Sequence, residues 1–227
     1  MGRSPWTATL QVGLAGLGLA SLVGIGRGFW APYAHRPQPF SPPKPPPLAN
    51  WQAQSTQLPL PKQPKELFGD LGGTRYPYRQ GQETLDARVV YIVGVSAQQP
   101  LNRLIARYGL PERVKADSLR FTEQAQARGP YARFIYRNTA HLSACLDPAG
   151  RTSVTAEQFW QNRLEVDLQP LPILAWLVGR PALLDKRCLW TQLALPLGNQ
   201  SPAVAYRRLE ALWPGWLDWW AKHYPPL

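Results

Sequence analysis

Hydrophobic and polar positions along this chain repeat with three different periods. Residues Thr7 to Gly26 carry no charge and a single amide, Gln11. A run of about 20 such residues matches one helix across a hydrocarbon core. Trp6 precedes it, and Phe29, Trp30 and Tyr33 follow, as in the aromatic belts of a spanning helix. A cleaved signal peptide is the rival reading, but its small-x-small cleavage site is not found downstream. Within the run, Gly16, Ala20, Gly24 and Gly28 recur every four residues, a stripe that lets another helix approach closely.

Beyond the apolar run the pattern stops. Residues 37–66 are rich in proline, with Pro42, Pro43, Pro45, Pro46 and Pro47 imposing extended polyproline II. This segment reads as a stiff spacer. Periodicity returns at Leu67. Asp86–Val93 is β-branched and reads as a strand. Leu101, Leu104, Ile105 and Tyr108 fall at helical spacing, with Gly109 and Pro111 as terminators. Ser118–Thr122 is a short strand by the same criteria. Residues 131–147 read as a hairpin with Asn138-Thr139 at its turn, closed by Asp147–Gly150.

The last third is more helical. Thr155 and Gln158 form a capping-box pattern ahead of Phe159, Trp160 and Leu164. LPILAWLVG is a short apolar helix ended by Gly179 and Pro181. Lys186–Leu197 is a further strand. Ser201-Pro202 opens a long helix with Tyr206, Leu209, Leu212, Trp213, Trp216 and Trp220 on its apolar side, and Pro214-Gly215 is expected to kink it. Strands and helices mix without a βαβ repeat. The expected architecture is therefore one α+β domain with a mainly antiparallel sheet and flanking helices. The expected boundaries are 1–36 for the anchor, 37–66 for the linker and 67–227 for the domain.

Charge changes this picture little. The chain has 25 basic and 14 acidic residues, net +11. Six of the basic residues and none of the acidic ones lie in residues 1–65, so more than half of the excess sits outside the expected domain. A basic strip beside an apolar segment fits anionic lipid, and equally a solvated linker. Nucleic acid is not an expected partner, because no basic cluster is interleaved with stacking aromatics. By the positive-inside rule, Arg27, Arg36 and Lys44 lean towards a cytoplasmic domain, whereas the short leader with Arg3 also fits export.

Candidate chemistry is sparse. There are 2 cysteines and 3 histidines, without C-x-x-C or H-x-x-x-H spacing, so no metal site is expected. No P-loop, G-x-G-x-x-G, G-x-S-x-G, H-E-x-x-H or EF-hand pattern occurs, and no cofactor is expected. Cys145 and His141 are the weak candidates for a nucleophile and its base. Four residues apart on one strand, they would face the same way at about 13 Å, too far to touch. Cys145 and Cys188 both lie on expected strands and suit a disulfide in an oxidising compartment; two buried thiols are the alternative. Glu157, Glu165 and Asp167 read as a solvated helix face.

Four segments, YRNTAHLSAC, TAEQFWQNR, GRPALLDKRCLW and SPAVAYRRLEALWPGWLDWW, together resemble the cyanoexosortase A system-associated proteins, relatives of the exosortase-associated, methanolan-biosynthesis-like accessory domain. The resemblance runs from about Tyr131 to the C-terminus and includes the anchor-and-linker layout. Residues 67–130 take no part in it. It implies a single-pass inner-membrane protein with its domain on the extracytoplasmic side, assisting a multi-pass exosortase or its sorted substrates in a system linked to exopolysaccharide export. It marks Tyr136, Gln158, Asn162, Arg163, Arg187 and Trp190 as motif or partner-surface residues. A non-catalytic accessory role follows. The alternatives are a periplasmic processing or carbohydrate-acting enzyme using Cys145 and His141, and a lipid- or sugar-binding module.

Overall fold

The computed structural model describes residues 11–19, 21–23, 40–54, 58–59, 69–94, 101–110, 114–177 and 185–226. The chain divides into two compact units. One comprises residues 37–163 and 186–226; the other comprises residues 1–36, 164–185 and 227.

The larger unit is built on a nine-stranded antiparallel sheet. Its strands are β1 (Gln52–Ala53), β2 (Leu58–Pro59), β3 (Gly69–Gln80), β4 (Glu83–Val93), β5 (Thr122–Gln126), β6 (Gly129–Tyr136), β7 (Thr139–Leu146), β8 (Thr152–Ser153) and β9 (Cys188–Pro196). The order across the sheet is β1-β3-β4-β9-β7-β6-β5, with β2 also on β3 and β8 also on β7. The last strand in the chain thus sits in the middle, between the β3–β4 hairpin and the β5–β6–β7 meander. Helices flank the sheet: α1 (Leu101–Leu104), continued by a π-helical turn at Ile105–Gly109, then α2 (Ala156–Asp167), α3 (Pro170–Leu177) and α4 (Pro202–Lys222). The α+β class with a mainly antiparallel sheet and flanking helices is as the pattern predicts.

Apolar residues line both faces of the central strands, which explains why β7 and β9 are almost continuously buried rather than alternating. On one face α4 lays Leu209, Trp213, Trp216, Leu217 and Trp220 over Tyr76, Tyr78, Tyr91, Leu142 and Leu193. On the other, α1, its π turn and Phe159 of α2 cover Val90, Ile92, Phe134 and Trp190. Four tryptophans, at 190, 213, 216 and 220, are fully buried, so this core accounts for much of the unusual Trp content. Helix α4 stays helical through Pro214 and Gly215.

Several expectations shift on contact with the structure. Strand β3 was not legible, because its sequence, GDLGGTRYPYRQ, contains three glycines and a proline. It tolerates Pro77 because, among the described residues, its outer side is flanked by just the two-residue strands β1 and β2. The strand expected at Ser118–Thr122 is instead a 3-10 turn, Ala116–Ser118, with β5 beginning at Thr122. The hairpin turn lies one residue earlier than expected, at Arg137 and Asn138, whose φ angles are 44° and 57°. Both central residues are left-handed, the geometry that matches the twist of a two-residue hairpin. Ser201 precedes α4 but makes no side-chain capping bond; its carbonyl accepts from the Val204 and Ala205 amides instead.

Part of the Pro-rich segment, residues 40–54, packs on the sheet. Within 40–54, Leu48 and Trp51 are buried against the α4-covered face. The Tyr76 hydroxyl donates to the Pro43 carbonyl at 3.1 Å, and the Tyr78 hydroxyl to the Pro46 carbonyl at 2.7 Å. Polyproline II leaves its carbonyls without internal partners, so they are available to these two tyrosines.

The smaller unit holds helical residues 11–19 and 21–23, the C-terminal end of α2, and α3. Gly16 lies in it; Ala20, Gly24 and Gly28 lie outside the described residues, as do most of the expected span's flanks and Gly179 and Pro181. Among the described residues no helix is long and apolar enough to cross a membrane.

Candidate functional site

Residues singled out from the sequence converge on the second face of the sheet, in three rows set by strand register. The first row runs Val90, Trp190, Cys145 and Ser153 across β4, β9, β7 and β8. The second runs Arg75, Arg88, Gln192, Ser143 and Ala132 across β3, β4, β9, β7 and β6. The third runs Pro77, Asp86, Ala194, His141 and Phe134 over the same five strands.

In the first row, Cys145 and Cys188 form a disulfide with their Cα atoms 5.6 Å apart. Cys188 is diagonal to Cys145: the residue directly opposite Cys145 is Trp190. The bond therefore joins adjacent strands on the same face. It also closes the base of the excursion that carries β8, α2 and α3. Of the two pairings left open by the sequence, the disulfide is the one formed.

His141 stands two rows away from Cys145. Its ring stacks on Phe134 at 4.6 Å, nearly parallel, and the residue is 5% exposed. Burial, and then the Arg88 charge, push its pKa down to about 4, so it is neutral across the physiological range. The structure does not bring the thiol and the imidazole together. Cys145 has no free thiol, and the Ser143 row lies between them.

Charge on this face is concentrated on Asp86. Its carboxylate accepts from Arg75 and from Arg88, the latter through Nε at 2.9 Å and Nη2 at 2.7 Å. Arg88 also donates to the Tyr108 carbonyl at 3.0 Å, which ties the π turn to the sheet. The same face extends across β3, β4, β9 and β7. A depression of about 410 Å³ lies there, with Arg75, Pro77, Asp86, Thr139, Ala194 and Pro196 among its lining residues. Arg75 and Asp86 are its charged lining residues, and they pair with one another, with Arg88 bonded to the same carboxylate from beside the depression. Sequence reading missed this site, because Arg75 and Pro77 lie on the strand that composition concealed.

The remaining motif residues hold the excursion to the sheet. The capping box forms as the sequence predicts: the Gln158 amide donates to Thr155 Oγ1 at 3.1 Å, and Gln158 Oε1 accepts from the Thr155 amide at 3.1 Å. Gln158 Nε2 reaches Glu123, and Asn162 Nδ2 donates to the Thr152 carbonyl at 3.1 Å. Arg163 is buried 3.8 Å from Asp147, itself buried, and burial raises the Asp147 carboxyl above its usual range. Arg187 is buried as well and donates to the Pro225 carbonyl at 2.9 Å. Tyr136 packs, half-buried, against the second core cluster.

Within this motif set, Arg163, Arg187 and Trp190 face the interior. All three are buried, and their side chains serve packing and internal bonding. Gly109, expected only as a helix terminator, also permits the close approach of Gln192, whose Nε2 donates to its carbonyl at 2.9 Å. Among the described residues, no cluster of three or more His, Cys, Asp or Glu is placed to hold a metal ion. Comparison with protein-family models, curated proteins and solved structures gives no match.

Proposed function

We propose that this chain is a membrane-anchored, non-catalytic accessory protein of an exosortase sorting system. In this reading its sheet unit lies on the extracytoplasmic side of the inner membrane and binds the multi-pass exosortase or its sorted substrates. The observation that carries the accessory role is the Cys145–Cys188 disulfide. It takes up the one thiol that a Cys/His enzyme would need. It also belongs to an oxidising compartment, which favours the exported orientation over the charge count. The resemblance in YRNTAHLSAC, TAEQFWQNR and GRPALLDKRCLW supplies the partner class.

The depression lined by Arg75 and Asp86 is the surface we assign to the partner. It is a concave region on the sheet with convergent polar groups. The test is affinity capture of the tagged full chain in mild detergent from its native host. Enrichment of a multi-pass exosortase over an unrelated single-pass control is expected, with loss of that enrichment in Arg75→Glu. No enrichment for the parent chain overturns the proposal.

A further inference from the structure

We infer that residues 164–177 form a second membrane-contacting element, which lies along the lipid interface rather than across the bilayer. The first observation is exposure. Leu164, Leu168, Leu171 and Leu174, spaced by three or four residues, are 43%, 58%, 78% and 57% exposed. Soluble surfaces carry single leucines, but a run of this kind marks an interaction site. The second is composition. Residues 168–179 contain no charged side chain and two prolines; Glu165 and Asp167 precede them, and on the C-terminal side Arg180, Lys186 and Arg187 outnumber Asp185. Basic residues beside an apolar stretch fit anionic head groups.

The third observation is length. Helix α3 has 8 residues. At ~1.5 Å per residue it covers about 12 Å, well under the ~30 Å of a hydrocarbon core. An exposed apolar segment this short can lie in an interface but cannot span. The fourth identifies the occupant. Residues 164–185 group with residues 1–36, not with the sheet. Residues 1–36 include the other exposed apolar helix, with Leu14 and Leu17 at 63% and 66% exposure. The two most lipophilic stretches of the chain thus belong to one unit, and lipid is the medium that suits both.

This inference rests on the membrane placement proposed above, and the experiment separates the two. The full chain is reconstituted into nanodiscs of phosphatidylcholine and phosphatidylglycerol with its native cysteine pair oxidised. Single cysteines at Leu171→Cys, Leu174→Cys, Leu17→Cys and Glu157→Cys are labelled with bimane; Leu168→Cys replaces either of the first two if it fails to fold. Nitroxide-bearing lipids should quench the labels at 171 and 174 several-fold more than the label at 157, with aqueous iodide showing the reverse order. Quenching at 17 with 171 and 174 behaving like 157 overturns the inference and leaves the anchor standing. No lipid quenching at 17 overturns the anchor placement itself. Labels at 171 and 174 shielded from both quenchers show a protein surface over them, such as a second copy, and also overturn the inference.

Discussion

Cys145 on β7 and Cys188 on β9 are diagonal neighbours across one strand pair, yet they are separated by 43 positions in sequence. The strand pairing alone brings the two ends of that excursion together. The covalent bond keeps them together in the unfolded chain as well, and that is where its stabilisation arises in the chain-entropy picture. For a loop of this length the picture gives about 4 kcal/mol.

Cys145→Ala and Cys188→Ala should therefore each lower unfolding free energy by up to about 4 kcal/mol, and the double variant should cost no more than either single one. Urea titration of the oxidised parent and the three variants measures this. Additive losses would show that each side chain acts by packing rather than through the bond.

The buried imidazole gives the unit a pH-dependent stability. His141 has a folded pKa of about 4, while an unfolded histidine titrates near 6.5. The unfolded chain takes up a proton below pH ~6.5 that the folded chain refuses until pH ~4. Stability contributed by the neutral ring is thus complete above pH ~6.5 and falls as pH drops towards 4, by at most ~1.4 kcal/mol per pH unit. His141→Phe should remove this slope. The difference between parent and variant urea midpoints, followed from pH 7 to 4.5, isolates it. Asp147, whose raised pKa acts in the opposite sense, is common to both proteins and cancels.

Arg163 and Asp147 are both buried, 3.8 Å apart, and Asp147 Oδ1 also accepts from the Arg151 amide at 2.9 Å. Arg163→Ala strands a buried carboxylate and should cost about 3–5 kcal/mol. Adding Asp147→Asn should recover much of that, because an amide needs no counter-charge and keeps the oxygen that accepts from Arg151. A double variant as unstable as Arg163→Ala alone would mean that lost packing, not the stranded charge, sets the cost.

Trp216 Nε1 donates to Thr191 Oγ1 at 2.6 Å inside the fully buried α4 face, and Thr191 Oγ1 lies 3.2 Å from the Arg88 carbonyl. Thr191→Val preserves the shape and removes the acceptor. It should cost about 1–3 kcal/mol, the penalty for an unsatisfied buried donor, whereas Thr191→Ser should cost clearly less. Denaturant midpoints of the two variants decide it.

What could be read from the sequence follows from where each element's information lies. The capping box at Thr155 and Gln158 is local chemistry, and it forms as written. Helix α4 and strands β7 and β9 show themselves by long apolar runs. Strand β3 depends on a neighbour: nothing within GDLGGTRYPYRQ compels extension, and it is the β4 register from Gln80 to Gly69 that does so. The docking of Pro43 and Pro46 requires two tyrosines more than thirty residues away, which no window along the chain reveals. The Cys/His candidate was weakened by strand spacing alone, but the stacking of His141 on Phe134 needed the hairpin register. The polar depression required both the concealed strand and the sheet order.

The place of β9 has a consequence for biosynthesis. The β3–β4 hairpin and the β5–β6–β7 meander can each close from local chain, but they share no edge until β9 is inserted between them. During synthesis, the inner edges of β4 and β7 stay unpaired until residues 188–196 have emerged. Two open apolar edges held through that interval are the positions most exposed to mispairing with another chain. A nascent chain halted before Cys188 would hold two half-sheets, with its cysteine still looking for a partner.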